Sequence, residues 1–130
     1  MRVKCNANTG DKLSAKYLIG NTHETVFHVA IGKEYNVFAV AVYCGATLFL
    51  LSDDNDLPNW YPVELFMISD ARVPHDWLCS VYPENDGGLQ FLLGYEQLIT
   101  DDSQYDALIE RVPSALEVFR KVVHSCDSLS

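Results

Sequence analysis

The chain has 130 residues, 48% hydrophobic and 21% charged, so it is long enough to bury a core and too apolar to be disordered. Nine Lys and Arg against eighteen Asp and Glu give a net charge of −9, which repels nucleic acid and anionic lipid and favours a basic protein partner. The N-terminus has no apolar signal region, and the longest apolar run, residues 37–44, is shorter than a membrane span of about 20 residues. We therefore expect one cytoplasmic domain over residues 1–130, strand-rich over 1–95 and helical over 101–125.

The N-terminal quarter is polar at its start and then carries two short apolar runs. Residues 6–11 contain Asn, Gly and Asp, which favour a loop. Residues 16–19 and 25–29 read as short strands on either side of Gly20 and Asn21, a pair that is typical of tight turns with positive φ. We therefore expect two strands before the central segment.

The central segment is aromatic and apolar, and it predicts the middle of a sheet. Residues 37–42 are apolar at every position, which is typical of a strand buried on both faces. A short turn at Cys44 and Gly45 follows, and residues 47–51 return as a second apolar run. The two runs predict an antiparallel hairpin.

A polar turn and a third strand follow this hairpin. Residues 53–58 are rich in Asp and Asn and end in Pro, so they form a solvated turn. Trp60, Tyr61 and Pro62 come next, and residues 63–69 then predict the third strand.

Two further strands are predicted after a connector. Residues 76–82 alternate in a strand pattern, and residues 90–95 form either a short strand or the start of a helical segment. Residues 83–88, which include Pro83 and two glycines, are the strongest loop signal in the chain.

Helical patterns occur at the end of the chain. Asp101 or Asp102 is a capping residue for a helix over residues 103–112, whose apolar positions fall on one face. Pro113 suits the first position of a second helix with its own apolar stripe. The apolar positions of the two helices are Tyr105, Leu108, Ile109 and Val112, then Leu116, Phe119, Val122 and Val123.

The order of these elements, strands first and helices last, predicts the α+β class. We expect a curved antiparallel sheet or small open barrel, with two C-terminal helices covering one side of it.

The cysteines and histidines do not have the spacing of a metal site. Four cysteines are spread along the chain without a CxxC pair, so free and mostly buried thiols are expected, with one disulfide as the alternative. His23 and His28 lie five apart and are better explained as polar residues near a strand. No motif for a cofactor is present, and we expect neither a cofactor nor a metal.

Catalytic motifs are also missing from the sequence. Gly87 and Gly88 lack the Lys of a phosphate loop, and no nucleophile elbow or zinc-protease motif occurs. The residues around Asp53 do not follow the ligand pattern of a calcium loop. An enzyme would need a site assembled from distant residues such as His28, His75 and Glu64.

One stretch combines charge with aromatic rings, which is typical of protein-binding surfaces. Asp53, Asp54 and Asp56 would steer a basic partner, and Trp60 and Tyr61 would supply binding energy when buried. The alternative is that both rings belong to the core and that the acidic turn serves solubility. Further acidic groups widen the candidate surface, namely Glu84 and Asp86, and then Asp101, Asp102 and Asp106.

Two segments resemble a known class of proteins. Residues 32–37, GKEYNV, and residues 58–66, PNWYPVELF, are similar to segments of small bacterial proteins, both of uncharacterised families and of the toxin-immunity type, and the resemblance extends over residues 32–77. The Gly-Lys-x-Tyr opening and the Trp-Tyr-Pro turn also resemble SH3-like barrels in outline. The resemblance implies a non-enzymatic inhibitor that binds a cognate toxin, and it assigns no individual site residues.

These observations lead to two main hypotheses. The first is an acidic binding protein, an immunity protein that neutralises a basic toxin such as a nuclease. The second is a module that binds a small ligand or a peptide in an aromatic groove near Trp60, Tyr61 and Trp77. A pocket of convergent aromatic side chains would favour the second hypothesis. The oligomeric state is left open.

Overall fold

The computed structural model describes residues 1–83 and 88–129, with side chains up to residue 125 in the last helix. Within these residues the chain forms eight strands and four α-helices, and two short 3-10 turns occur at Gly10–Lys12 and Val63–Leu65. In chain order the elements are β1 (Arg2–Cys5), α1 (Ala15–Leu18), β2 (Glu34–Asn36), β3 (Ala39–Tyr43), β4 (Ala46–Ser52), β5 (Pro58–Pro62), β6 (Phe66–Asp70), β7 (Leu78–Val81), β8 (Leu89–Gly94), α2 (Glu96–Thr100), α3 (Gln104–Ile109) and α4 (Pro113–Leu129).

The strands form two antiparallel sheets. The smaller sheet has the order β2-β1-β6, and the larger one has the order β5-β4-β3-β8-β7. The predicted α+β class is confirmed, since antiparallel strands are followed by helices at the C-terminal end. The strands do not close into a barrel, because they divide between two open sheets.

The predicted central hairpin is confirmed as β3 and β4. Tyr43 pairs with Ala46, and the register continues to Ala39 opposite Leu50. Cys44 has a φ of 48° and Gly45 a φ of 80°, and two consecutive positive values are what a two-residue hairpin turn of type I′ requires. The turn therefore fixes the register of the two central strands.

The centre of the larger sheet is buried on both faces, as the apolar runs predict. Along β4, Leu50 packs into a core shared with the helices, whereas Phe49 and Leu51 pack into a second core on the opposite face. That second core includes Val3 of β1 and Tyr35 of β2. The larger sheet thus lies between the smaller sheet on one side and the C-terminal helices on the other.

The two N-terminal strands are wrong predictions. Residues 16–19 lie largely in helix α1, which ends where Ile19 adopts a left-handed φ of 46°. Residues 25–29 form only an isolated bridge, between Val26 and Thr9. The backbone N–H and Oγ of Ser14 both donate to Glu64, and this long-range contact holds the segment as a helix. Residues 16–19 do not pair with the edge of a sheet.

The third predicted strand begins elsewhere. Pro58–Pro62 is itself strand β5, residues 63–65 form a 3-10 turn, and β6 starts only at Phe66. Two prolines are tolerated in β5 because it is an edge strand, where an N–H can be missing without loss of a ladder bond. The sequence pattern also missed β1, which is the middle strand of the smaller sheet.

The C-terminal predictions are confirmed more closely. Strands β7 and β8 lie within the expected ranges to one residue, and α4 begins at Pro113 with Phe119 buried in the core. The short helix α2 was not predicted. The oxygen Oδ1 of Asp101 accepts bonds from the N–H of Ser103 at 3.0 Å and its Oγ at 2.7 Å, which holds the turn that leads into α3.

Helix α3 is shorter than expected and exposes one predicted core residue. It spans Gln104–Ile109 with Leu108 buried, but 52% of Ile109 is exposed. None of the helices in the described residues is both long and apolar enough to cross a lipid bilayer.

Candidate binding cavity

The acidic turn between β4 and β5 is organised by Asp53, which is only 3% exposed. Its Oδ1 accepts bonds from the backbone N–H groups of Asn55 at 2.9 Å and Leu57 at 3.3 Å. Its Oδ2 accepts bonds from Nδ2 of Asn59 at 2.6 Å and from the hydroxyl of Tyr61 at 2.7 Å. The carboxylate is therefore fully used within the fold.

Asp53 and Tyr61 therefore do not belong to an exposed partner-binding surface, which corrects the prediction for both. Tyr61 is 4% exposed and packs its ring edge-on against Phe27, with 5.9 Å between the ring centroids. Its hydroxyl is held by the buried carboxylate. Successive residues of a strand point to opposite faces, so Tyr61 and Trp60 cannot both line one groove.

The other two carboxylates of the turn remain at the surface. Asp54 accepts bonds from Nζ of Lys33 and from the hydroxyl of Tyr35, each at 2.8 Å. Asp56 is exposed and adopts a φ of 58°, which Asp tolerates better than most residues. Asp56 is thus the carboxylate of this turn that is free for a partner, while Asp54 is already neutralised by a cation.

Burial and hydrogen bonding shift the pKa of both Asp53 and Tyr61. Burial by itself raises the pKa of Asp53, but the bonds from Tyr61, Asn59 and the two N–H groups outweigh it and hold the pKa below its usual range. Burial and the adjacent carboxylate raise the pKa of Tyr61. Asp53 therefore stays ionised and Tyr61 stays a donor at neutral pH.

The Tyr61→Phe variant should lose about 1–2 kcal/mol of unfolding free energy at pH 7, because it leaves one carboxylate lone pair unsatisfied. A lowered native pKa contributes stability above the unfolded value of about 4, and this contribution is lost as pH falls through the native value. Removing one donor raises that native pKa, so stability should depend less steeply on pH in the acid range. Urea unfolding between pH 2 and 7 measures this, with Tyr17→Phe as the control; equal slopes for the two variants would contradict it.

Trp60 faces the helical side of the larger sheet and lines a cavity of about 450 Å³. The cavity lies between strands β4 and β5 on one side and helix α3 on the other, with the turn after α1 at its rim. Three aromatic side chains from separate elements meet there: Tyr43, Trp60 and Tyr105. The other lining residues are Ile19, Asn21, Leu48, Leu50, Pro58, Asn59, Pro62, Asp106, Leu108 and Ile109.

The aromatic side chains of this Trp60 cavity come from both of its sides. The centroids of Trp60 and Tyr105 are 5.8 Å apart with their planes tilted by 44°. Burial, followed by the proximity of Tyr43 and Asp106, raises the pKa of Tyr105 to about 12. Tyr105 is therefore a neutral phenol at physiological pH, and among the described lining residues Asp106 is the only one whose side chain carries a full charge.

Two unpaired donors lie beside the cavity. Nε1 of Trp60 and Nη1 of Arg111 are buried and have no hydrogen-bond partner among the described residues. The other terminal nitrogen of Arg111, Nη2, donates to Oδ1 of Asn59 at 3.0 Å. An unsatisfied buried donor costs about 1–3 kcal/mol, so this part of the fold is not optimised for stability alone.

The second tryptophan lines a different cavity, of about 600 Å³. Trp77 contributes to it with parts of α2 and α4, and its charged lining is mixed, with Asp76, Glu96 and Lys121. The predicted groove that would combine Trp60 with Trp77 is therefore wrong, because the two rings line separate cavities.

The remaining candidate residues are dispersed. Glu84 and Asp86 lie outside the described residues. His28 and His75 are exposed, and Glu64 is bonded to Ser14 on the N-terminal segment. Among the described residues, no group of three His, Cys, Asp or Glu side chains is placed to hold a metal ion.

The thiols depart from the expectation of burial. Cys5 is buried, whereas Cys44 and Cys79 are exposed, and all three are free. The side chain of Cys126 lies outside the described part of the chain.

Sequence patterns identified Trp60 but missed its partners in the cavity. Tyr43 was part of the hairpin, and Tyr105 was assigned to the apolar face of a helix, so neither was a candidate. The alternation of strand residues was the available signal, because it separates Trp60 from Tyr61. Which ring meets Tyr105 depends on the packing of α3 on the sheet.

Comparison with protein-family models, with curated proteins and with solved structures finds no significant match to this chain.

Proposed function

We propose that this protein is a non-catalytic binding protein whose recognition site is the Trp60 cavity. The observation that carries the proposal is the convergence of Tyr43, Trp60 and Tyr105 on one cavity of about 450 Å³. Ligand sites have volumes of about 300–1,000 Å³ and a mainly apolar, aromatic lining with few polar groups. The cavity has this size and this composition.

The side chains that line the cavity support binding more than catalysis. General acid–base chemistry works best with a group that titrates near the working pH. Tyr105, with its pKa raised to about 12, is too weak an acid for this role at neutral pH. Asp106 is the one carboxylate among the described residues of the lining, so these residues supply no pair of carboxylates to share acid and base roles.

The position of the cavity favours a peptide or a side chain of a partner protein as the ligand. The rim includes Ile109, a large apolar side chain that is 52% exposed on α3. Exposed apolar side chains around a concave site are typical of surfaces that bind another protein.

The two tryptophans allow a direct test by fluorescence. A Trp77→Phe variant keeps Trp60 as the single tryptophan, and a Trp60→Phe variant keeps Trp77. Each is titrated with short peptides that differ in one central side chain and with a panel of common metabolites. We expect saturable changes in emission from some ligands with the Trp77→Phe protein, and none from the same ligands with the Trp60→Phe protein.

Two results of this titration would contradict the proposal. A response confined to the Trp60→Phe protein would place binding at the Trp77 cavity instead. The absence of any saturable response, in variants whose circular dichroism and unfolding match the parent protein, would argue against a ligand site at Trp60.

A second candidate is the immunity-type inhibitor of a basic toxin, and the charge distribution favours it. The net charge is −9, and residues 96–110 contain five carboxylates and no Lys or Arg. Such a protein would bind its target with a strong dependence on ionic strength. Joint replacement of Asp56, Asp102 and Glu110 by their amides should slow association with a basic toxin, while association unaffected by salt would exclude this candidate.

A further inference from the structure

We propose that the Trp60 cavity takes a cationic side chain, arginine or lysine, from a basic protein partner. This inference rests on the proposed function and adds the chemical class of the group that enters the cavity. Its basis is the combination of three aromatic side chains with one carboxylate, and no basic side chain, among the described residues of the lining.

The electrostatics of the lining favour a cation. Asp106 is exposed, forms no ion pair with any described residue, and is one of the residues that line the cavity. None of the described residues that line the cavity is Lys, Arg or His. Exposed acidic residues continue on either side along the chain, with Asp101 and Asp102 before α3 and Glu110 after it. An entering cation therefore meets the Asp106 carboxylate, which has no ion-pair partner among the described residues, in an acidic part of the chain.

The aromatic rings supply the second element of cation recognition. Guanidinium and ammonium groups bind over the faces of Trp and Tyr within about 6 Å of the ring centroid. Trp60 and Tyr105 lie 5.8 Å apart and tilted, and Tyr43 completes the set. The aliphatic stem of Lys or Arg would pack on Leu48 and Ile109 while its charged end reaches Asp106.

Arg111 is a basic residue that contacts one of the lining residues. Its Nη2 donates to Oδ1 of Asn59, and Arg111 itself does not line the cavity. Its positive charge repels an entering cation. The attraction of the Asp106 carboxylate and the aromatic rings has to exceed this repulsion.

The test uses amino-acid derivatives as probes and the Trp77→Phe protein as the reporter. N-acetyl-arginine methylamide and N-acetyl-norleucine methylamide have long side chains that differ in charge, and the matching glutamate derivative reverses the charge. Titrations are run at constant ionic strength and followed by Trp60 emission. We expect the arginine probe to bind about tenfold more tightly than the norleucine probe, which is the effect of a partly desolvated cation–π contact with an ion pair.

Matched variants identify the carboxylate responsible. Asp106→Asn should weaken binding of the arginine probe about threefold to fivefold, as expected for a partly exposed ion pair, and leave the norleucine probe unchanged. Asp76→Asn removes the same charge from an exposed residue of the Trp77 cavity, outside the lining of the Trp60 cavity, and should have little effect. Arg111→Gln should tighten binding of the arginine probe slightly, because it removes the opposing charge.

The following outcomes would each reject the cationic ligand without rejecting the cavity as a binding site. Equal affinity for the arginine and norleucine probes would overturn the cationic ligand and leave a cavity that binds apolar groups. A preference for the glutamate probe would overturn it in favour of an anionic ligand. If the arginine probe gives no saturable response while other peptides do, the cavity binds a ligand of another class and the inference is wrong.

Discussion

Replacing Asp53 by alanine should lower the free energy of unfolding by about 3 kcal/mol or more, the largest stability effect expected from a single polar residue in this fold. The carboxylate is 3% exposed and accepts four hydrogen bonds, two from backbone N–H groups and two from Asn59 and Tyr61. Truncation leaves these donors without their acceptor in a protected environment. Chemical denaturation measures this difference, provided that the unfolding free energy of both proteins falls with denaturant concentration at the same slope.

Two variants in the same turn serve as controls for this prediction. Asp56→Asn keeps a residue that tolerates positive φ at an exposed position and should change stability by less than about 0.5 kcal/mol. Asp53→Asn keeps one acceptor oxygen but turns its NH₂ group toward other donors. Its loss of stability should therefore lie between those of Asp56→Asn and Asp53→Ala. A loss below about 1 kcal/mol for Asp53→Ala would mean that the carboxylate does not hold the turn.

The role of Asp53 also explains how the cavity is positioned. The turn that Asp53 organises connects β4 to β5 and sets Trp60 opposite Leu50 in the register. Tyr61 anchors β5 on one face, and Trp60 is thereby directed to the other face, toward α3. Asp53 and Tyr61, which the sequence predicted to contact a partner, thus support the proposed binding site from the opposite face of β5.

The second prediction with a large expected effect concerns the rim of the cavity. Ile109→Trp should reduce the affinity of the peptide that binds most tightly in the Trp60 titration at least about tenfold. A ring over the opening would prevent the ligand from making its contacts inside the cavity, and hot-spot contacts carry about 2 kcal/mol or more. Ile109 is 52% exposed at the last position of α3, so a larger ring fits at the surface and covers the opening without entering the core. Isothermal calorimetry or an NMR titration measures the affinity.

Val81→Trp is the matched control for the rim variant. Val81 is 67% exposed on β7, which lies at the opposite edge of the larger sheet from β5. It adds the same ring to the surface at a distance of several strands from the cavity, so it should leave the affinity unchanged. Equal losses in the two variants, or none in Ile109→Trp, would show that the ligand does not enter past Ile109.

Local signals in the sequence predicted those elements that depend on neighbouring residues. The β3–β4 hairpin follows from two apolar runs and the Cys44-Gly45 turn, and α4 follows from Pro113 and an apolar stripe. The predicted strands at 16–19 and 25–29 were wrong because short apolar runs carry little information without a sheet edge to pair with. The bonds from Ser14 to Glu64, fifty residues away, could not be inferred from local pattern.

The candidate site shows the same division between local and long-range information. Residues 53–61 do combine acidic and aromatic side chains, as the sequence shows. Burial and strand alternation distribute these side chains over two faces, so they do not form one surface. Asp53 and Tyr61 became an internal hydrogen-bonded pair, while Trp60 joined Tyr43 and Tyr105 from distant parts of the chain. Ile109 was expected in the core and lies at the rim because α3 ends there.

The most direct test of the Trp60 cavity as a recognition site is a comparative pull-down from lysate of the source organism. Wild-type, Ile109→Trp and Val81→Trp proteins serve as baits at low and high salt, with quantitative mass spectrometry of the retained proteins. We expect one basic protein to be retained by the wild type and by Val81→Trp, to be reduced at high salt, and to be largely lost with Ile109→Trp. Retention of that protein by Ile109→Trp at the wild-type level, or no protein retained by any bait, would contradict the account.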